Sequence, residues 1–243
     1  MSDIATTSSL AEIIEALPGS RRTFERLGLD YCCGGQRSLG DACADLALDP
    51  SAVVDELRLA DEEPVPDWAS MAPATLVDHL EAVHHAYLHT EMERLTALAE
   101  KVASVHGSRH PELADVERTY AELRADLEPH LLKEERILFP AIRQLADGEA
   151  PAALPGGSVH APISVMLRDH DRAGDLLAEL RRLTDGYRPP ADGCASYQAL
   201  YEGLAELEAD THLHVHKENN VLFPAVLALE GARAGGPSPV PQG

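Results

Sequence analysis

The chain has 243 residues, with 20 Lys and Arg against 41 Asp and Glu, for a net charge of −21. A field of that sign repels phosphate backbones and anionic lipid surfaces, which argues against nucleic-acid and membrane partners. No run of about 18 apolar residues occurs, and the N-terminal "MSDIATTSSL" lacks a basic region followed by an apolar one, so a cytoplasmic protein is expected.

The length suits two unequal domains, each with its own core. Four cysteines without a Cys-x-x-Cys pair fit neither a secreted disulfide scaffold nor a zinc ribbon. Aromatic residues make up only 4%, while Ala and Leu abound, which favours packed helices over sheets. The informative excess is histidine, with 12.

In chain order, residues 8–17 and 20–28 read as short helices, ended by Pro18-Gly19 and by Gly28. "DYCCGGQRSLG" forms a turn. Two further short helices follow, the second with Asp49 as N-cap and Pro50 at its first position. Residues 1–60 are thus expected to form a small helical domain carrying the Cys-Cys-Gly-Gly turn. Residues 61–74, acidic and Pro-rich, suit a linker. Helical periodicity then dominates roughly 73–105, 111–147, 161–185 and 194–230, with Gly- and Pro-rich breaks between. Four such helices over 75–230 predict an all-α, up-down-up-down four-helix bundle. Residues 231–243 read as a disordered tail.

The chemistry lies in an internal repeat. Residues 130–142 read "HLLKEERILFPAI" and residues 214–226 read "HVHKENNVLFPAV". His130 and Glu134 share one helix face about 6 Å apart along its axis, as do His214 and Glu218. His85 precedes His130 by 45 residues, and His170 precedes His214 by 44. Each half of the bundle therefore offers one histidine on its first helix and a His-x-x-x-Glu pair on its second. A single such pair reads as an exposed helical pair worth about 0.2–0.5 kcal/mol. Its duplication with the flanking Leu-Phe-Pro-Ala reads as a metal site.

Four imidazoles and two carboxylates without a thiolate suit iron, manganese or zinc. Bridging carboxylates favour two ions roughly 3.5–4 Å apart, with open positions for a small ligand. His89 lies one turn beyond His85 as its partner or rival, while His84 points about 100° away. His212 and His216 flank His214 and are expected to be solvated. Pro129, just before His130, removes a helical hydrogen bond at a cost of roughly 3 kcal/mol, so a kink is expected there.

"LDYCCGG", "VDHLEAVHH", "HLLKEERILFP", "PISVMLRDHDRAG" and "HVHKENNVLFP", in that order, resemble the repair of iron centres family over nearly the whole chain. The resemblance implies a hemerythrin-like bundle with two iron ions in an oxo- or hydroxo-bridged centre. It would make His85, His130, His170 and His214 the histidine ligands, with Glu134 and Glu218 bridging. It also implies a cytoplasmic stress protein that repairs iron–sulfur clusters damaged by nitric oxide or oxidants by supplying iron. Its partners would be iron–sulfur proteins or a cluster-assembly scaffold, with nitric oxide or dioxygen as small ligand; a homodimer is compatible with the sequence. The alternatives are a nitric oxide reductase at the same centre and an oxygen or nitric oxide sensor.

Cys32 and Cys33 read as thiols at rest, because a disulfide between adjacent residues is strained and the cytoplasm reducing. Two small buried residues would be the bland alternative. Gly34-Gly35 gives the turn backbone freedom, and the linker lets the domain dock or swing away. The pair is therefore expected to be a mobile redox or iron-handling pair at the mouth of the di-iron site, without ligating iron at rest.

Overall fold

A computed structural model describes residues 4–17, 19–58, 68–151, 154 and 157–234. Four short helices come first: α1 (Leu10–Ala16), α2 (Ser20–Leu27), α3 (Leu39–Asp45) and α4 (Pro50–Leu57). Local chemistry sets their ends. Ser9 and Glu12 form a reciprocal capping box on α1, and the Ser38 and Asp49 side chains cap α3 and α4. Gly28, at φ 72°, closes α2 in the left-handed region that a side chain disfavours. Ile13, Ile14, Phe24, Tyr31, Leu39 and Leu57 fill a core of their own. No strand occurs among the described residues; Ser9 and Ser38 make a single bridge.

The remaining helices form the bundle. Its first column is α5 (Pro73–Leu80) and α6 (Ala86–His106), its second α7 (Leu113–Lys133) and α8 (Phe139–Ala146). The third is α9 (His160–Leu183), and the fourth is α10 (Ala195–His216) and α11 (Phe223–Ala234). Successive columns pack side by side, with α10 closing back on α6. Three columns are continuous through one π-helical turn each, at Glu81–His85, Glu134–Leu138 and Lys217–Leu222. The last two have a cause in sequence. The rings of Pro140 and Pro224 would collide with the carbonyls four residues back, those of Arg136 and Asn220, and both carbonyls lie inside a π turn, where the backbone is wider.

The bundle core is split in two. One apolar layer holds Leu88, Met92, Leu127, Leu131 and Leu177, the other Leu80, Leu138, Met166, Leu222 and Phe223. Between them lies a polar layer at residues 85, 130, 134, 170, 214 and 218.

Several expectations need correction. Pro129 lies inside α7, which continues through it to Lys133, with Leu127 and Leu131 on either side buried in the core. A change of pitch begins at Glu134. Trp68, within the stretch read as linker, is buried in the second apolar layer, and residues 59–67 lie outside the described residues. Residues 231–234, read as tail, continue α11; the rest of the tail lies outside the described residues.

Candidate metal centre

The π turns present the polar layer inward. His85 ends the first, Glu134 begins the second and Glu218 is the second residue of the third. All six side chains singled out in the repeat are almost wholly buried and converge. They form two donor groups: His85, Glu134, His214 and Glu218 in one, His130, Glu134, His170 and Glu218 in the other. Within each group the donor atoms lie within 4.8 Å of one another. Both glutamates belong to both groups, and each group draws one histidine from each half of the repeat.

This layer is not self-sufficient. His85 Nε2, both oxygens of Glu134, His170 Nε2 and Glu218 Oε2 are buried without a hydrogen-bond partner. The His85 and His170 nitrogens approach the carboxylates at 3.5 and 3.1 Å, but without hydrogen-bond alignment. A bare buried polar group costs about 1–3 kcal/mol, and more when charged. A pair of cations among these atoms satisfies them, and nitrogen and oxygen donors of this kind suit iron.

Electrostatics agree. Burial opposes the ionisation of Glu218, yet His214 and His170 hold its carboxyl well below the usual range. Burial also opposes the charged form of His130, but Glu134 and Asp169 outweigh it and raise the pKa to about 10.

Behind the donors the repeat continues, now in unlike residues. Each bridging-type glutamate is followed by a residue that holds the histidine of its own half: His85 Nδ1 donates to Glu135 Oε1 at 2.9 Å, and His170 Nδ1 donates to Asn219 Oδ1 at 2.8 Å. Fixing Nδ1–H in this way leaves Nε2 free to face the centre. The residues preceding the first histidines also correspond. Asp169 lies 3.5 Å from His130 Nδ1 and pairs with Lys133. Its counterpart, His84, stacks on His214 with rings 4° from parallel and accepts from Lys217 Nζ at 2.7 Å. Phe139 and Phe223 lie against His85 and His170, so the aromatic residue of each Leu-Phe-Pro-Ala walls the site.

Lys217 is buried beneath Trp68 and also donates to His79 Nε2, and burial lowers its pKa to about 8. His84 in turn donates from Nδ1 to Asp210, whose pKa burial raises to about 6. Sequence reasoning missed Glu135, Asp169, Asn219 and Lys217, although the first and third hold matching positions in the repeat. His89 is exposed and reaches Glu135, sharing the acceptor of His85.

The two domains meet beside this layer. His216 is fully buried, with Nδ1 3.2 Å from the Tyr31 carbonyl, and His212 and His216 both pack against the Tyr31 ring. His216 is not solvated, because the N-terminal domain covers it, and His212 is half-buried at the edge of the same contact. Asn219 and Asn220 donate to the Cys32 carbonyl at 3.4 and 3.1 Å. Gly35 makes the approach possible: a Cβ there would lie 2.6 Å from the Tyr31 carbonyl oxygen and 2.7 Å from Asn220 Oδ1. Cys32 is buried and Cys33 half-buried, with sulfurs 3.8 Å apart. The contact with Cys33 and burial push the Cys32 thiol well above its ordinary value.

Residues 75–226 match the hemerythrin HHE cation-binding domain, and residues 6–61 match a domain of unknown function, DUF542. The chain is 36% identical over 222 residues to the iron–sulfur cluster repair protein YtfE of Enterobacter sp. (strain 638), covering 91% of this chain and 97% of that one. The chain belongs to the YtfE family. YtfE proteins of Escherichia coli O157:H7 and Escherichia fergusonii are each 35% identical with the same coverage. The match runs through both domains. With a hemerythrin domain around two donor groups that share two carboxylates, the cofactor of this YtfE-family chain is a di-iron centre. No helix of the described residues is long and apolar enough to cross a membrane.

Proposed function

We propose that this protein repairs iron–sulfur clusters, and that it does so by supplying iron from the buried pair. The relatives' names favour repair over nitric oxide reduction and gas sensing. The observation that carries iron supply is the economy of the donor set: six side chains make up two donor groups, both carboxylates being shared, so each of two ions would be held by few ligands. The pair supplies exchangeable ferrous ions with open coordination positions when bound.

The protein's own residues do the rest. His85, His130, His170 and His214 would present nitrogen, and Glu134 and Glu218 oxygen, to a metal pair held there. Glu135 and Asn219 hold two of the histidines in register through their Nδ1–H groups. Phe139 and Phe223 keep water from the walls. Cys32 and Cys33 work at the domain boundary, receiving iron or electrons without ligating the buried pair at rest. The recipients are damaged iron–sulfur proteins or a cluster-assembly scaffold in the cytoplasm, and nitric oxide or dioxygen is the small ligand of the open positions.

Anaerobic incubation of the reduced, iron-loaded protein with an apo-cluster protein tests the reading. Iron should pass to the recipient and restore its cluster absorption. Catalytic nitrous oxide formation from nitric oxide, without iron transfer, would replace donation by reduction.

A further inference from the structure

The turn before α3 gathers a second donor group outside the bundle core. Asp30 Oδ1 accepts from the backbone N–H groups of Cys32 and Cys33 at 3.1 and 2.9 Å, and Oδ2 accepts from Gly34 N–H at 2.9 Å. Wrapped around one carboxylate, the adjacent cysteines converge instead of diverging. Cys32 Sγ lies 3.1 Å from Asp30 Oδ1 and 3.8 Å from Cys33 Sγ. One carboxylate oxygen and two sulfurs thus fall within 4.8 Å of one another, the spacing of ligands around a single ion.

Their surroundings favour a cation. The group lines a cleft of about 450 Å³ between the N-terminal domain and α9 and α10, together with Glu25, Asp171, Asp175 and Glu208. The one guanidinium in that lining, Arg181, is committed to Glu208. A cleft so lined concentrates cations. Its floor is bare opposite the thiols: a Cβ at Gly174, one turn beyond His170, would lie 4.0 Å from Cys33 Sγ. Two sulfurs and one carboxylate also make a softer set than the buried imidazoles and carboxylates, and the cleft leaves a fourth position open.

We propose that Asp30, Cys32 and Cys33 form a second metal site, which takes one ferrous ion or a divalent analogue in the cleft and serves as the hand-off position for donated iron. Binding replaces two S–H protons by two metal–sulfur bonds with no change of oxidation state. The hand-off rests on the donation reading above; the site itself does not.

Cobalt(II) is the probe. Added anaerobically to protein whose buried pair is filled with iron, it should bind as one further equivalent per chain, on the order of one ion, with a sulfur-to-cobalt charge-transfer band in the near ultraviolet. The double variant Cys32→Ser, Cys33→Ser should lose that equivalent and band, and Asp30→Asn should weaken both, with iron content unchanged. No further equivalent, or one that survives the double variant, overturns the site. For the hand-off, the iron-loaded double variant should pass iron to an apo-cluster protein about tenfold more slowly, a barrier about 1.4 kcal/mol higher. Transfer at the wild-type rate overturns the hand-off and leaves the site standing. A wild type that passes no iron overturns donation and hand-off together, while cobalt still decides the site.

Discussion

Asn219 joins His170 to the Cys32 turn: its Oδ1 accepts from His170 Nδ1, and its Nδ2 donates to the Cys32 carbonyl. One amide therefore orients a donor of the buried centre and holds the N-terminal domain in place. Asn219→Ala should lower metal affinity by about 10–100-fold, the usual cost of losing such a support. Retention of iron against a chelator measures it. Glu135→Ala, at the matching position on His85, should cost a similar amount, and wild-type retention in both variants would remove the supporting role.

Glu134→Ala or Glu218→Ala should empty the centre, because each carboxylate belongs to both donor groups. His212→Ala and His216→Ala should keep most of the iron and instead loosen the N-terminal domain, since both rings pack on Tyr31. Metal analysis and limited proteolysis, run on all four variants, separate the outcomes. Equal iron losses across the set would contradict the assignment.

Gly35→Ala should undock the domain, because its methyl group has no room between Tyr31 and Asn220. Overpacking of this kind costs typically about 1–3 kcal/mol. Hydrogen exchange at Tyr31–Gly35 should quicken while exchange in α6 and α7 stays slow. Unchanged protection of the turn would refute the steric argument.

Loading should be proton-linked. In the metal-free fold His130 titrates at about 10, so near neutrality it carries a proton that metal must displace. Affinity should therefore rise with pH, by about tenfold per unit from this group, over the range below that pKa. Metal-competition titrations between about pH 6 and pH 8 measure the slope, and a flat profile would show that His130 binds without losing a proton.

Iron-replete protein freed of exchangeable metal at the cleft should retain about two irons per chain, with a near-ultraviolet band from the paired ions. One tightly held zinc without iron would contradict the di-iron assignment.

The bundle, its helices and the set of six side chains that converges within it were legible in the sequence because each rests on short-range periodicity. His130 and Glu134 share a face by helical geometry alone, and the duplication of that pair with Leu-Phe-Pro-Ala removes the ambiguity of a single copy. The domain contact was not legible. That His216 is fully buried follows from the Tyr31 carbonyl above it, 185 residues away, and no local pattern encodes such a distance. The same holds for Asn219, whose two hydrogen bonds run to different parts of the chain, and for Lys217, a charge that burial would forbid without His79, His84 and the Trp68 ring. Gly34-Gly35 reads locally as backbone freedom, yet at Gly35 the structure needs the missing side chain, because another surface lies against it. Periodicity within a helix determined which residues share a face; only tertiary packing decided which buried polar atoms acquire partners, because those partners come from distant segments.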